Sequence, residues 1–92
     1  MKFEWDAEKA DANVRKHSVS FDEAMTAFAD IFSRTFYDAK HSDDEARYAT
    51  IGLTAEGRLL IVWHTDRGGH IRIISARKTT RSETKAYIDA RQ

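Results

Sequence analysis

Residues 47–77 read RYATIGLTAEGRLLIVWHTDRGGHIRIISAR, and this stretch decides the fold. Three runs of β-type residues are separated by two glycine-containing turns. Residues 47–54 alternate, with Ala49, Ile51 and Leu53 on one side. Ala55-Glu56-Gly57 then leads into residues 58–65. That run is apolar on both faces from Leu59 to Trp63, as a central strand is. Asp66-Arg67-Gly68-Gly69 supplies the positive φ that tight hairpins require. Residues 70–77 alternate again, Ile71, Ile73 and Ser75 against Arg72, Ile74 and Ala76. A three-stranded antiparallel meander is expected. In a regular strand Arg72 and Arg77, five positions apart, point to opposite faces.

Upstream, residues 2–5 read as a short strand with Phe3 and Trp5 on one side. Asp6 is placed to cap a helix running to His17, one face of which carries Ala7, Ala10, Val14 and His17. Ser20 and Glu23 have the spacing of a capping box, and Val19 that of a hydrophobic staple. A second helix over residues 21–29 follows, striped by Phe21, Ala24, Met25 and Phe28. Residues 31–37 read as a strand, and residues 38–46, DAKHSDDEA, as an acidic loop. Downstream, Thr80 and Glu83 form a second capping box, opening a helix to about Ala90. The expected class is α+β in the order β-α-α-β-β-β-β-α, an antiparallel sheet with two N-terminal helices and one C-terminal helix.

The chain of 92 residues is expected to form one domain over residues 1–92. A chain of that size hides only roughly 60–65% of its unfolded surface, so an active site would be a surface groove. Cysteine is absent, which excludes disulfides, cysteine zinc ligands and thiol nucleophiles. The first residues are too polar for a signal peptide. The run from Leu59 to Trp63 falls far short of the ~20 apolar residues that span a bilayer. A cytoplasmic protein with no membrane partner is therefore expected. Net charge is zero, yet residues 1–46 carry 6 Lys+Arg against 11 Asp+Glu, and residues 47–92 carry 9 against 4. That asymmetry suits either a nucleic-acid contact on the basic half or a plain dipolar surface.

Several groups can carry chemistry. Lys9, Asn13 and Lys16 share one face of the first helix, with His17 at its edge. Spacing alone reads them as a solvated face complementing the helix dipole. Arg77, Lys78 and Arg81 cluster where the last strand meets the last helix. Guanidinium suits bidentate phosphate binding, and a helix N-terminus adds N–H donors. His64 and His70 flank the second turn, close to opposite positions in the hairpin, and histidine is the usual proton carrier at neutral pH. The four histidines show no metal-ligand motif, so neither metal nor cofactor is expected. Trp5, Trp63, Tyr37 and Tyr48 read as core or as stacking platforms for nucleobases.

The residues Phe3-Glu4-Trp5-Asp6, Lys9, Asn13, Lys16-His17, Val19-Ser20-Phe21 and Glu23-Ala24 recur in a known order. So do Arg47, Ile51-Gly52, Gly57-Arg58, residues 72–77 (RIISAR), Thr80, Glu83 and Tyr87. With them the chain resembles the BrnT toxin family over nearly its whole length. Ser18 departs from the pattern, which usually has glycine after Lys-His. The resemblance implies a fold like that of the RelE ribonuclease toxins. It implies metal-independent endoribonuclease cleavage that inhibits translation in a type II toxin–antitoxin system. It also implies RNA as substrate and a BrnA-like ribbon-helix-helix antitoxin as partner, with operator DNA bound only through the complex.

On that reading the expected site places Arg77 and Arg47 on the scissile phosphate. Lys16 or His17 acts as base or electrostatic stabiliser, and His64 as the acid. Arg72, Arg81, Lys78 and Lys9 guide the RNA backbone. Trp5, Asp6 and Asn13 are expected to fix the first helix to the sheet. The alternative is a non-catalytic module that binds an antitoxin and contributes to a DNA-bound repressor.

Overall fold

The computed structural model describes residues 1–91. In chain order its elements are β1 (Lys2–Glu4), α1 (Ala7–His17), α2 (Phe21–Thr26), β2 (Arg34–Tyr37), β3 (Tyr48–Leu53), β4 (Leu59–Arg67), β5 (His70–Lys78) and α3 (Arg81–Ala90). Short 3-10 turns at Ala27–Ala29 and Ala39–His41 follow α2 and β2. The class is α+β, with three helices on a five-stranded sheet ordered β1-β5-β4-β3-β2. None of the helices is long and apolar enough to cross a membrane.

The sheet is mixed, which corrects the antiparallel expectation. β1 runs parallel to β5, while β2 to β5 pair antiparallel. The chain path explains this. The α1–α2 connection delivers β2 to the far edge running opposite to β1, and three reversals bring β5 back parallel to it.

Local chemistry sets the helix ends. The Asp6 carboxylate accepts from the Glu8 N–H at 2.8 Å and opens α1. Ser18 closes it in the left-handed region at φ 58°, its N–H reaching the Val14 carbonyl at 2.9 Å. Serine thus adopts the conformation for which glycine is favoured. Only half of the Ser20 capping box forms: Ser20 Oγ accepts from the Glu23 N–H at 3.0 Å. The Glu23 carboxylate turns inward instead, to the Arg58 guanidinium and the Thr54 hydroxyl. A charge-assisted pair outcompetes a neutral backbone N–H. The Thr80–Glu83 box is complete.

The main core lies between the sheet and the α1–α2 pair. Val19, Phe21, Ala24, Leu60, Val62, Ile73 and Ala76 are buried there, with Trp5 packed edge-on against Phe21. Burying Phe21, Leu60 or Ile73 each contributes about 1.5–3 kcal/mol. A Cβ on Gly52 would stand 2.5 Å from the Ala27 carbonyl oxygen, so glycine lets the Ala27–Ala29 turn close onto β3. On the other face α3 seats Tyr87 against Ala49, Ile51 and Ile61. The Tyr87 hydroxyl donates to Asp30 at 2.5 Å, tying α3 to the loop before β2.

Two details of β5 matter for function. Gly68 and Gly69, at φ 57° and 84°, make a two-residue hairpin turn, shorter than the four residues expected. Arg67 therefore pairs with His70, and His64 pairs with Ile73, so the two histidines are not opposite one another. The register then slips: Trp63 pairs with Ser75, leaving Ile74 as an extra residue in a β-bulge. Arg72, opposite Thr65, and Arg77, opposite Ile61, consequently share the face that bears α3. The opposite-face expectation for these two arginines is overturned.

Candidate functional site

The α3-bearing face of the sheet carries long polar side chains where α3 does not cover it. One cross-strand row holds Glu4, Arg72 and Thr65, and the next holds His70 and Arg67. Arg47 immediately precedes β3, beside the Thr65 end of the first row, by extension of the Tyr48–His64 pairing. On the other side lies Ser75 opposite Trp63, and then Arg77 opposite Ile61. Arg47, Arg67, Arg72 and Arg77 thus share one face of the sheet, the first three close enough to Glu45 to help lower its pKa and Arg77 over Trp63. The Thr65 hydroxyl in their midst is buried without a hydrogen-bond partner.

Carboxylates hold three of these arginines. Arg77 lies 5.0 Å over the Trp63 ring and makes a bidentate contact with Glu83 at 2.9 and 3.1 Å. Arg72 donates to Glu4 at 2.8 Å, and His70 Nδ1 lies 3.1 Å from the same carboxylate. Arg67 grips Glu45 at 2.8 and 3.0 Å. Each guanidinium hydrogen bond holds its partner carboxyl below the usual range, so Glu83, Glu4 and Glu45 are ionised. Arg47 makes no side-chain ion pair among the described residues. It lines a small depression with Asp43, Asp44 and Glu45, so the acidic loop stands beside the basic face.

Lys9, Lys16 and His17 lie elsewhere. They border an open groove between α1 and the outer edge of β5, together with Arg15, Ile74 and Ser75. β1 stops at Glu4, so β5 beyond Arg72 has no strand on that side. Asn13 takes the missing strand's place. Its amide donates to the Ala76 carbonyl at 2.9 Å and accepts from the Ala76 N–H at 3.1 Å, while also donating to the Val19 carbonyl at 2.8 Å. Ser75 belongs to both regions, lining the groove and pairing with Trp63 on the face.

His64 stands apart from the arginines. It is on the helix-pair side of the sheet and 7% exposed, with Phe28 edge-on at 4.9 Å and Tyr48 stacked at 6.0 Å. Its Nε2 is 2.7 Å from the Thr50 hydroxyl. Burial pushes its pKa down to about 4, so it is a neutral core residue at physiological pH. Lys78 pairs with Leu60 and also lies on the side away from Arg77. Arg81 is exposed at the start of α3, where the chain itself takes up two of the N–H donors. Glu83 N–H is bonded by Thr80 Oγ, and Thr80 N–H by the Glu83 carboxylate.

The sequence reading missed Trp63 as the ring beneath Arg77, and it missed Glu83, Glu4 and Glu45 as arginine partners. Glu83 was legible only as a capping residue, since its second contact depends on where β5 ends.

A family model described as the ribonuclease toxin BrnT of type II toxin–antitoxin systems matches residues 5–83. The chain belongs to the BrnT family. It is thereby one of a family of ribonuclease toxins, with RNA and an antitoxin as the implied partners. The crystal structure of the Brucella abortus ribonuclease toxin BrnT aligns with a TM-score of 0.68 at 23% identity, covering 88% of this chain and 99% of that one. At that identity the likeness is one of fold. Comparison with curated proteins gave no match.

Proposed function

We propose that this BrnT-family chain is an endoribonuclease that cleaves RNA on the α3-bearing face of its sheet. The observation that carries the reading is that Arg47, Arg67, Arg72 and Arg77 stand on one face of the sheet, the last of them over Trp63. The substrate's own 2′-oxygen attacks the adjacent phosphorus, the P–O5′ bond breaks, and a 2′,3′-cyclic phosphate and a 5′-hydroxyl result. The nucleophile is internal, so the protein has to hold charge and move two protons without a metal. Arg77 and Arg47 hold the phosphorane oxygens, and Arg72 and Arg81 guide the backbone. Preorganised cations of this kind contribute several kcal/mol to the transition state. Lys16 or His17, in the groove that Ser75 also lines, takes the 2′-OH proton, and solvent water supplies one to the departing 5′-oxygen, with Lys9 steering the strand along α1. Proton transfer of this sort adds about 10²–10⁴-fold. His64 has no part in it, being buried and neutral.

In the cell we read the protein as a RelE-like toxin that stops translation. A ribbon-helix-helix antitoxin neutralises it, and operator DNA is bound only through that complex. A second reading rests on the pairing of Arg67, Arg72 and Arg77 with carboxylates. RNA has to displace those partners, whereas a module that only docks an antitoxin would keep them. Incubating purified protein with total RNA, with and without EDTA and then with ribosomes, separates the two. Cleavage that survives EDTA supports the nuclease. Intact RNA in every arm supports the docking module.

A further inference from the structure

An open groove of about 330 Å³ runs beside the arginine face, between the first turns of α3 and strands β2 to β4. Its floor is Ala49, Ile51 and Ile61, and Glu83 and Ser82 form part of the α3 wall. Phe36 and Trp63 border it across Ala49, because Phe36, Ala49 and Trp63 form one cross-strand row. Two strand spacings, about 9–10 Å, separate the two aromatic positions. With only a methyl group between them, that gap admits one further planar ring at stacking distance.

The neighbouring row reads Arg34, Ile51, Ile61, Arg77. Its two ends are cations, and each leans over an aromatic ring of the first row. Arg34 is 5.6 Å from the centre of Phe36, and Arg77 is 5.0 Å from that of Trp63. The groove's own polar lining is Asp38, Ser82 and Glu83, and the two guanidiniums stand outside it at the ends of the adjoining row, where the phosphates flanking a base in the slot would lie. An apolar peptide segment would gain nothing from the two cations.

From this we infer that the Phe36–Ala49–Trp63 slot binds one nucleobase of the RNA, next to the phosphate held by Arg77. The inference rests on the nuclease reading and adds to it the group that sets where the strand is registered. Stacking between two rings tolerates any base. The Glu83 carboxylate at the wall only accepts, so it favours bases that present amino donors, while the Ser82 hydroxyl can donate or accept. Phe36 is 40% exposed on an edge strand, which makes it accessible to a ligand and replaceable without opening the core.

The test is binding of a 2′-O-methyl RNA dodecamer, which cannot be cleaved, and of an abasic oligomer of the same length and charge. Affinity and indole fluorescence are measured for the wild type, Phe36→Ala and Phe36→Tyr. The slot predicts about tenfold or greater loss for the base-bearing dodecamer in Phe36→Ala, full recovery in Phe36→Tyr, and no change for the abasic oligomer. Quenching of the indole signal should accompany binding of the dodecamer alone. Equal losses for both oligomers, or none, would overturn the slot while leaving the nuclease reading intact. Wild-type protein that binds neither, free or on ribosomes, would overturn both. Unchanged RNA binding with weakened antitoxin binding would mark the groove as a protein surface and overturn the slot.

Discussion

Arg72 and Arg77 stand on the same face of the sheet although five positions separate them, because Ile74 is the extra residue of a β-bulge. The bulge also keeps Ile73 and Ala76, three positions apart, together in the core. Without it the arginine face would lose one of its two β5 cations. Bulges commonly re-aim side chains next to functional surfaces.

This register predicts unequal costs at two adjacent isoleucines. Ile73 is fully buried, so Ile73→Ala should cost about 2–5 kcal/mol in urea denaturation. Ile74 borders the open α1 groove, so Ile74→Ala should cost under about 1.5 kcal/mol. In an unbulged strand Ile74 would share the core with Ala76, and the order of the two losses would reverse.

Asn13 acts as a one-residue strand partner for Ala76. Asn13→Ala leaves the Ala76 N–H and two carbonyls buried without partners. A loss of about 2–3 kcal/mol is expected, with faster hydrogen exchange at the Ala76 amide. Unaltered exchange at Ala76 would show that this strand edge is satisfied in another way.

The Glu23–Arg58 pair makes stability depend on acid. Glu23 is 5% exposed, and the Arg58 hydrogen bond, aided by Thr54, lowers its pKa against the opposing effect of burial. A depressed carboxyl stabilises the fold above its unfolded pKa of about 4.5 and loses that contribution as pH falls through the folded value. In Arg58→Ala only burial and Thr54 act, and burial raises the pKa. That variant should lose about 3–5 kcal/mol at pH 7 and recover part of the difference below about pH 4. Parallel melting curves at both pH values would contradict the pairing.

His64 sets a second pH window with the same sign. Its folded pKa of about 4 lies below the ordinary 6.5, so the unfolded chain binds the proton first. Stability should therefore fall as pH drops from about 6.5 towards 4, by up to about 3 kcal/mol. The ring should still read neutral by NMR at pH 5. A His64 resonance titrating near 6.5 would return the residue to the list of candidate acids.

Much of this was legible in the sequence. The glycine turns and alternating runs of residues 47–77 announce the meander, and Asp6 and Thr80 announce two helix starts. What stayed hidden depends on contacts between distant segments. Alternation in residues 70–77 is as consistent with a regular strand as with a bulge, since Ile73 and Ile74 are chemically the same. His64 reads as a polar strand end until Phe28 and Tyr48 close over it. Glu23 and Glu83 sit at capping positions in the sequence, but only the folded chain brings Arg58 and Arg77 to them. The parallel pairing of β1 rests on the route of α1 and α2, which no local pattern records.

The most direct test of the arginine face compares two adjacent residues on opposite sides of β5. Cleavage of RNA is measured for Arg77→Ala and Lys78→Ala, after both variants are shown to melt within a few degrees of the wild type. Arg77 reaches Trp63 and Glu83 on the α3 face, whereas Lys78 pairs with Leu60 on the other. The account predicts a loss of about 10²–10³-fold for Arg77→Ala and less than about threefold for Lys78→Ala. Equal losses, or a larger loss at Lys78, would contradict it and move the chemistry off this face.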